Sequence, residues 1–328
     1  ENEDDGSFET FGFGYGQGDE LERMTRSTSG SVYFEAGDSG RTTARGLQPF
    51  PAGGRNLGPD DSPFGYDGAG RRTSDDRFSY RWDWRGRLYE VTVSTEAGTP
   101  YDGHQVRYEY DALGRLLYRV HLGEDDGSGN RPFFEYRAYL WEGNSLLAEA
   151  GYGSNDGTWD DPDTDLFLRW RRTYVPGASG LDDAVQVRVE ILEPSGSADA
   201  DTLYSYLRDE LGTVLALVEE GEGADPADPP IVARYLYTPY GEAAIAGEEE
   251  PVYDSIETAS STLDGRFPGG QNSLFQGLWT DPVTGISYAR NRWYDARNAA
   301  WLSEDPMQDV DSPNLYAFVG WGPEHGRA

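Results

Sequence analysis

At 328 residues the chain can form one large domain or two ordinary ones, and its 27 basic against 59 acidic residues leave a net charge of −32. That charge opposes phosphate backbones and anionic membrane surfaces, so nucleic acid is not an expected partner. The lack of Cys excludes disulfides and thiolate metal sites, and no apolar run approaches the roughly 18 residues of a membrane span.

Every basic residue is Arg, which suits bidentate carboxylate pairing and stacking on aromatic rings. Tyr 22, Trp 9 and Phe 13 supply enough apolar surface for a folded chain, while Gly 42 and Pro 19 demand many turns. Short strands and tight loops are therefore expected rather than long helices. The three histidines, His104, His121 and His325, are too scattered along the chain to suggest a metal cluster. A start at Glu1-Asn2-Glu3 suggests a processed chain or a fragment of a longer one.

In chain order, residues 1–62 read as an irregular N-terminal segment rich in Gly, Ser and Asp, with Ser31-Val32-Tyr33-Phe34-Glu35 as a candidate edge strand. Residues 63–270 carry an internal repeat. Its copies are Tyr66-Asp67-Gly68-Ala69-Gly70-Arg71, Trp82-Asp83-Trp84-Arg85-Gly86-Arg87 and Tyr110-Asp111-Ala112-Leu113-Gly114-Arg115. Each copy predicts a β-hairpin: an aromatic strand end, Asp to take backbone amides in the turn, Gly for a positive φ, then Arg and an apolar strand. One hairpin is not stable alone, so successive hairpins must stack into a continuous sheet.

Alternating stretches predict further strands at Leu88–Val93, Leu116–Val120, Phe134–Trp141, Leu166–Tyr174, Val185–Leu192, Leu203–Leu207, Val214–Val218 and Ile231–Tyr237, with a turn at Glu142–Asn144. Acidic inserts at Gly123–Asn130, Gly153–Asp165 and Glu219–Pro230 read as exposed loops. In the second of these, Asp161, Asp163 and Asp165 are candidate calcium ligands, although the loop has neither the Gly nor the terminal Glu of an EF-hand. No other cofactor is expected.

The repeats resemble the YD repeats of the Rhs family. So do Tyr206-Leu207-Arg208-Asp209-Glu210-Leu211-Gly212 and Tyr237-Thr238-Pro239-Tyr240-Gly241 further on. Residues 271–328 resemble the Rhs-associated core, through Asp281-Pro282-Val283-Thr284-Gly285, Tyr288-Ala289-Arg290-Asn291-Arg292-Trp293-Tyr294-Asp295, Ser303-Glu304-Asp305-Pro306 and Asn314-Leu315-Tyr316-Ala317-Phe318-Val319-Gly320. The resemblance implies an all-β fold, a spiralling stack of hairpins forming a partial shell with an inward-turned C-terminal core.

Many bacterial members of that family cut themselves with two Asp carboxylates supported by an Arg. The resemblance places this Arg at Arg292 and the first carboxylate at Asp305, while Ala328 stands where the second Asp is expected. One carboxylate must be protonated and the other ionised for such chemistry, so the dyad is incomplete. An ion pair or a turn-capping role for Arg292 and Asp305 is the structural alternative.

Two functions are open. One is part of a shell that encloses or presents a C-terminal toxin or effector segment; its partners would be the rest of a longer shell and that segment. The other is an extracellular structural, adhesive or filament-forming surface protein whose partners are further copies of itself. Either implies an extracellular or cell-surface location. Chance carboxylate pairs and exposed Trp residues leave glycoside chemistry as a third reading.

Overall fold

The computed structural model describes residues 64–154, 166–178, 182–192, 197–221, 230–245, 271–307 and 315–318, together with four strand backbones between residues 11 and 42. Those four are β1 (Phe11–Tyr15), β2 (Leu21–Arg26), β3 (Val32–Gly37) and β4 (Arg41–Thr42), paired in sequence as one antiparallel sheet. They lie within the stretch read from sequence as irregular, where Gly alternating with aromatic residues hides the strand pattern.

The body of the chain is one 14-stranded sheet in strict chain order. Its strands are β5 (Gly65–Tyr66), β6 (Arg72–Ser74), β7 (Phe78–Trp82), β8 (Leu88–Val93), β9 (Gln105–Tyr110), β10 (Leu116–Leu122), β11 (Phe133–Glu142) and β12 (Ser145–Ser154). It continues with β13 (Leu166–Pro176), β14 (Ala184–Leu192), β15 (Ala198–Arg208), β16 (Val214–Glu220), β17 (Ile231–Tyr237) and β18 (Ala243–Ile245). All neighbours pair antiparallel, as hairpins stacked side by side must.

The all-β expectation holds, and among the described residues the one helical turn is a 3-10 turn at Phe275–Gly277. The strand at Ala198–Arg208 starts earlier than the pattern predicts. Its first residues, Ala198-Asp199-Ala200-Asp201-Thr202, are too solvated to show an apolar alternation, and pairing with β14 holds them in the ladder.

The repeat turns obey one local rule. In the first, the amides of Ala69 and Arg71 donate to Asp67 Oδ1 at 2.9 and 3.0 Å, and Arg71 Nε donates to Asp67 Oδ2 at 2.7 Å. Asp83 with Arg85 and Arg87, and Asp111 with Leu113 and Arg115, repeat this arrangement. Gly70, Gly86 and Gly114 take φ of 72°, 80° and 85°, a region where a Cβ is strained.

Consecutive repeats are then stitched in both directions. Arg71 Nη1 donates to the Asp83 carbonyl at 3.3 Å and Arg87 Nη1 to the Asp111 carbonyl at 3.3 Å. In return, Trp82 Nε1 donates to the Arg72 carbonyl, Tyr110 Oη to that of Leu88 and Trp141 Nε1 to that of Leu116, each at 2.7 Å. The aromatic-Asp signature is thus a connector between neighbouring hairpins as well as a turn.

A second, small sheet of β19 (Trp279–Thr280), β20 (Ile286–Ala289), β21 (Arg292–Asp295) and β22 (Ala300–Trp301) follows. It packs on one face of the large sheet. Trp279, Val283, Ile286, Tyr288, Trp293 and Leu302 share a hydrophobic core with Phe78, Tyr80, Leu88, Val91, Val106, Tyr108 and Tyr139. The opposite face carries cross-strand pairs whose arginines reach solvent, such as Arg171–Glu190 and Arg81–Glu90–Arg107.

Candidate functional site

The face of the large sheet that receives the C-terminal core presents four arginines, Arg72, Arg119, Arg137 and Arg172, each with 1% or less of its surface exposed. Period-2 alternation points them inward while Arg81, Arg107 and Arg171 point to solvent. A buried guanidinium requires a charge partner and filled hydrogen bonds. The core supplies much of both.

At mid-sheet, Arg119 grips Asp281 bidentately, Nε to Oδ2 at 2.6 Å and Nη2 to Oδ1 at 3.3 Å, and its Nη1 reaches Glu135 at 3.2 Å. Arg137 donates to Glu135 at 2.6 Å and to Asn272 Oδ1 at 2.9 Å; Arg172 donates to the same Asn272 oxygen at 2.6 Å and to Glu149 at 2.7 Å. Glu149 also accepts from Tyr174 Oη and from Trp279 Nε1. The Arg137 and Arg172 guanidinia flank the Trp170 ring at 5.0 and 4.6 Å. That ring lies over Gly151, where a Cβ would collide with the indole.

Burial alone would raise the Asp281 and Glu149 carboxyls. Arg119 in the first case, Arg172 and Arg137 in the second, outweigh it and hold both below the usual carboxylate range. Three arginines face three carboxylates here, so this mid-sheet clamp is electrically balanced.

At the first hairpin, Arg72 Nη1 lies 2.6 Å from Asp295 Oδ2 and its backbone amide donates to the Leu302 carbonyl at 2.8 Å. Asp75 stands 3.5 Å from the same Nη1. Further contacts close the seam: Tyr316 Oη donates to the Gly70 carbonyl, Tyr294 Oη to that of Tyr240, and the Val214 amide to the Leu274 carbonyl.

The structure brings Arg292 and Asp305 together at 2.7 Å, with 17% and 18% of their side chains exposed. Arg292 stacks over Trp301 at 4.1 Å, and Asp305 Oδ1 accepts the Met307 amide at 2.8 Å, so the pair also ties down a turn. Ala328 lies outside the described residues, as do Asp161, Asp163 and Asp165. Among the described residues no group of three or more His, Cys, Asp or Glu side chains could hold a metal ion.

Sequence reading missed two features of this face. The first is the set of inward arginines and their partners Glu135, Glu149, Asn272, Asp281 and Asp295; Arg119, Arg137 and Arg172 sit in otherwise apolar alternation, a signal that was available. The second is that His104 and His121 meet, Nδ1 to Nε2 at 2.9 Å, with Phe134 stacked on His121 and Tyr101 edge-on to it. Burial, with Arg119 nearby, holds His121 well below the ordinary imidazole range. The two are scattered in sequence but adjacent across the sheet.

No protein-family model matches the chain. Among curated proteins it is 24% identical to the tRNA nuclease WapA of Bacillus subtilis over 267 residues, 80% of this chain and 9% of that protein. It is 26% identical to the toxin protein Tse5 of Pseudomonas aeruginosa over 251 residues, 74% of this chain and 16% of that one. The crystal structure of TcdB2-TccC3 superposes on 98% of this chain with a TM-score of 0.61 at 17% identity, using 13% of its own length. The chain is similar to Rhs, or YD-repeat, toxin proteins. It spans between 9% and 16% of the length of these Rhs relatives. The Rhs signature residues are the ones that make the turns, the stitches and the core contacts described above.

Proposed function

We propose that this chain is part of an Rhs-type β-shell that encloses or presents a C-terminal toxin or effector segment. The observation that carries the reading is the seam: a separate C-terminal sheet held on one face of the hairpin stack by the buried, hydrogen-bonded pairs Arg72–Asp295 and Arg119–Asp281. A core fixed so firmly defines where the polypeptide leaves the stack, which a shell wall needs and an isolated sheet does not. The names of two relatives, a tRNA nuclease and a toxin, support a toxin-related role. The partners are then the remaining shell wall and the following segment, and the location is extracellular or at the cell surface. The −32 charge argues against nucleic acid as a partner of this portion.

In this reading Arg292 and Asp305 form half of an aspartic-type self-cleavage site, Arg292 fixing and polarising the Asp305 carboxylate. The test extends the chain with the segment encoded after Ala328 and follows it by limited proteolysis and mass spectrometry. A shell role predicts a following segment protected from added protease; digestion at the rate of the free segment overturns it. Ala328→Asp in that extended chain is expected to produce self-cleavage that Asp305→Asn abolishes.

A second reading, a surface protein assembling with copies of itself, is favoured by the apolar turn tips. Trp84 and Leu113 are 85% and 78% exposed, and such side chains at a rim suit contact with another surface. Sedimentation of the chain alone separates the two: a monomer at all concentrations disfavours self-assembly.

A further inference from the structure

We propose that Asp75 holds a proton when the C-terminal core is seated and Asp295 is paired with Arg72, making the Arg72 contact a proton-dependent latch between the first hairpin and the core. The inference concerns the seam itself and stands whether or not a toxin segment follows.

The geometry is an imbalance of charge in a dry place. Arg72 has 1% of its surface exposed, and its Nη1 faces both Asp295 Oδ2 at 2.6 Å and Asp75 Oδ2 at 3.5 Å. One guanidinium thus meets two carboxylates, one from the β6–β7 loop and one from the end of β21. The remaining acceptor sites are filled by fixed neutral donors. Asp75 takes the amides of Arg77 and Phe78 at 2.9 and 2.8 Å and the Tyr80 hydroxyl at 2.6 Å; Asp295 takes Asn298 Nδ2 at 2.6 Å and the Asn298 amide at 3.2 Å.

The other titratable groups around the pair do not restore balance. Tyr66 and Tyr80 on the sheet side and Tyr294 on the core side are held neutral, their hydroxyls raised by burial. Arg77, Glu242 and Arg297 line the adjoining cavity with Asp75 and Asp295. Arg297 is engaged by Asp76 at 2.9 Å, and Arg77 and Glu242 carry opposite charges and together add no net charge to the cavity lining. Two ionised carboxylates on one cation would leave an excess negative charge at the seam, and a single proton removes it. Burial, then the Asp295 charge, outweigh Arg72 and the hydrogen bonds from Tyr80 and the Arg77 amide and push the Asp75 carboxyl above the usual range, which makes Asp75 the natural holder.

The sign follows. A carboxyl whose folded value is raised binds more protons folded than unfolded, so the latch is strongest below the raised value and weakens as pH rises through it. Seating the core takes up a proton.

The test is a carbon-13 NMR titration of Asp carboxyl groups in the intact chain. One Asp carboxyl is expected to titrate above the ordinary Asp range, its signal absent in Asp75→Asn and moved down toward the ordinary value in Asp295→Asn. In parallel, the Tm of Asp75→Asn minus that of the unsubstituted chain should grow as pH rises between about 5 and about 8. The proposal is overturned if every Asp carboxyl of the unsubstituted chain titrates at or below the ordinary range, a result that needs no variant to fold. A Tm difference independent of pH overturns it equally.

Discussion

The two ends of the seam use the same chemistry with different arithmetic. At mid-sheet, Arg119, Arg137 and Arg172 are matched one for one by Asp281, Glu135 and Glu149, and Asp281 and Glu149 are stabilised in their ionised form. At the first hairpin a lone Arg72 is shared by Asp75 and Asp295. A balanced buried network needs no proton and is indifferent to pH until strongly acid conditions; an unbalanced one is tuned by protons near the carboxylate range. The core is thus held by one contact that resists changes of pH and one that responds to them.

Breaking the balanced end should have the largest effect. Arg119→Met strands Asp281 in a fully buried position and is expected to cost about 3–5 kcal/mol in urea unfolding, whereas Arg119→Met with Asp281→Leu should recover most of that loss. A loss below about 1 kcal/mol for the single change would mean that the mid-sheet clamp does not carry the seam.

Acid sharpens the comparison. The depressed Asp281 and Glu149 carboxyls contribute stability that is present above their unfolded values and lost as pH falls through their lower folded values; the raised Asp75 carboxyl acts with the opposite sign. Hydrogen exchange, corrected for intrinsic rates, should show β19 and β20 loosening in strong acid while the Arg72 end stays protected. Simultaneous loosening of both ends would erase the distinction.

Smaller effects belong to the repeat turns and the solvated face. Gly86→Ala is expected to cost about 1 kcal/mol, since it places a Cβ at a φ of 80° in a turn whose Asp and Arg are otherwise satisfied. Arg171→Ala breaks a pair on a half-exposed Arg and should cost no more than about 0.5 kcal/mol. A solvated pair costing as much as the buried clamp would place the main stabilising contacts on the wrong face.

Residue pattern alone determined the hairpins, their order and their turn chemistry, because those contacts are local: Asp67, Asp83 and Asp111 each bind the Arg four residues on, and Gly supplies the φ between them. The all-β class and the resemblance of residues 271–328 to a core segment were legible for the same reason, as was the preference of these arginines for carboxylates and aromatic rings. The Arg292–Asp305 pairing followed from the resemblance rather than from any local rule.

Tertiary structure decided which arginines matter. Arg71 and Arg72 are neighbours in sequence, yet Arg71 closes its own turn while Arg72 crosses to Asp295, and no local pattern distinguishes them. Arg119 and Arg107 lie on adjacent strands on opposite faces, one buried against Asp281 and the other partly solvated beside Glu90. Likewise, only the pairing of β9 with β10 brings His104 beside His121. Partners this distant along the chain meet through packing of the core on the sheet, and the desolvation that makes their charges consequential exists only after that packing has formed.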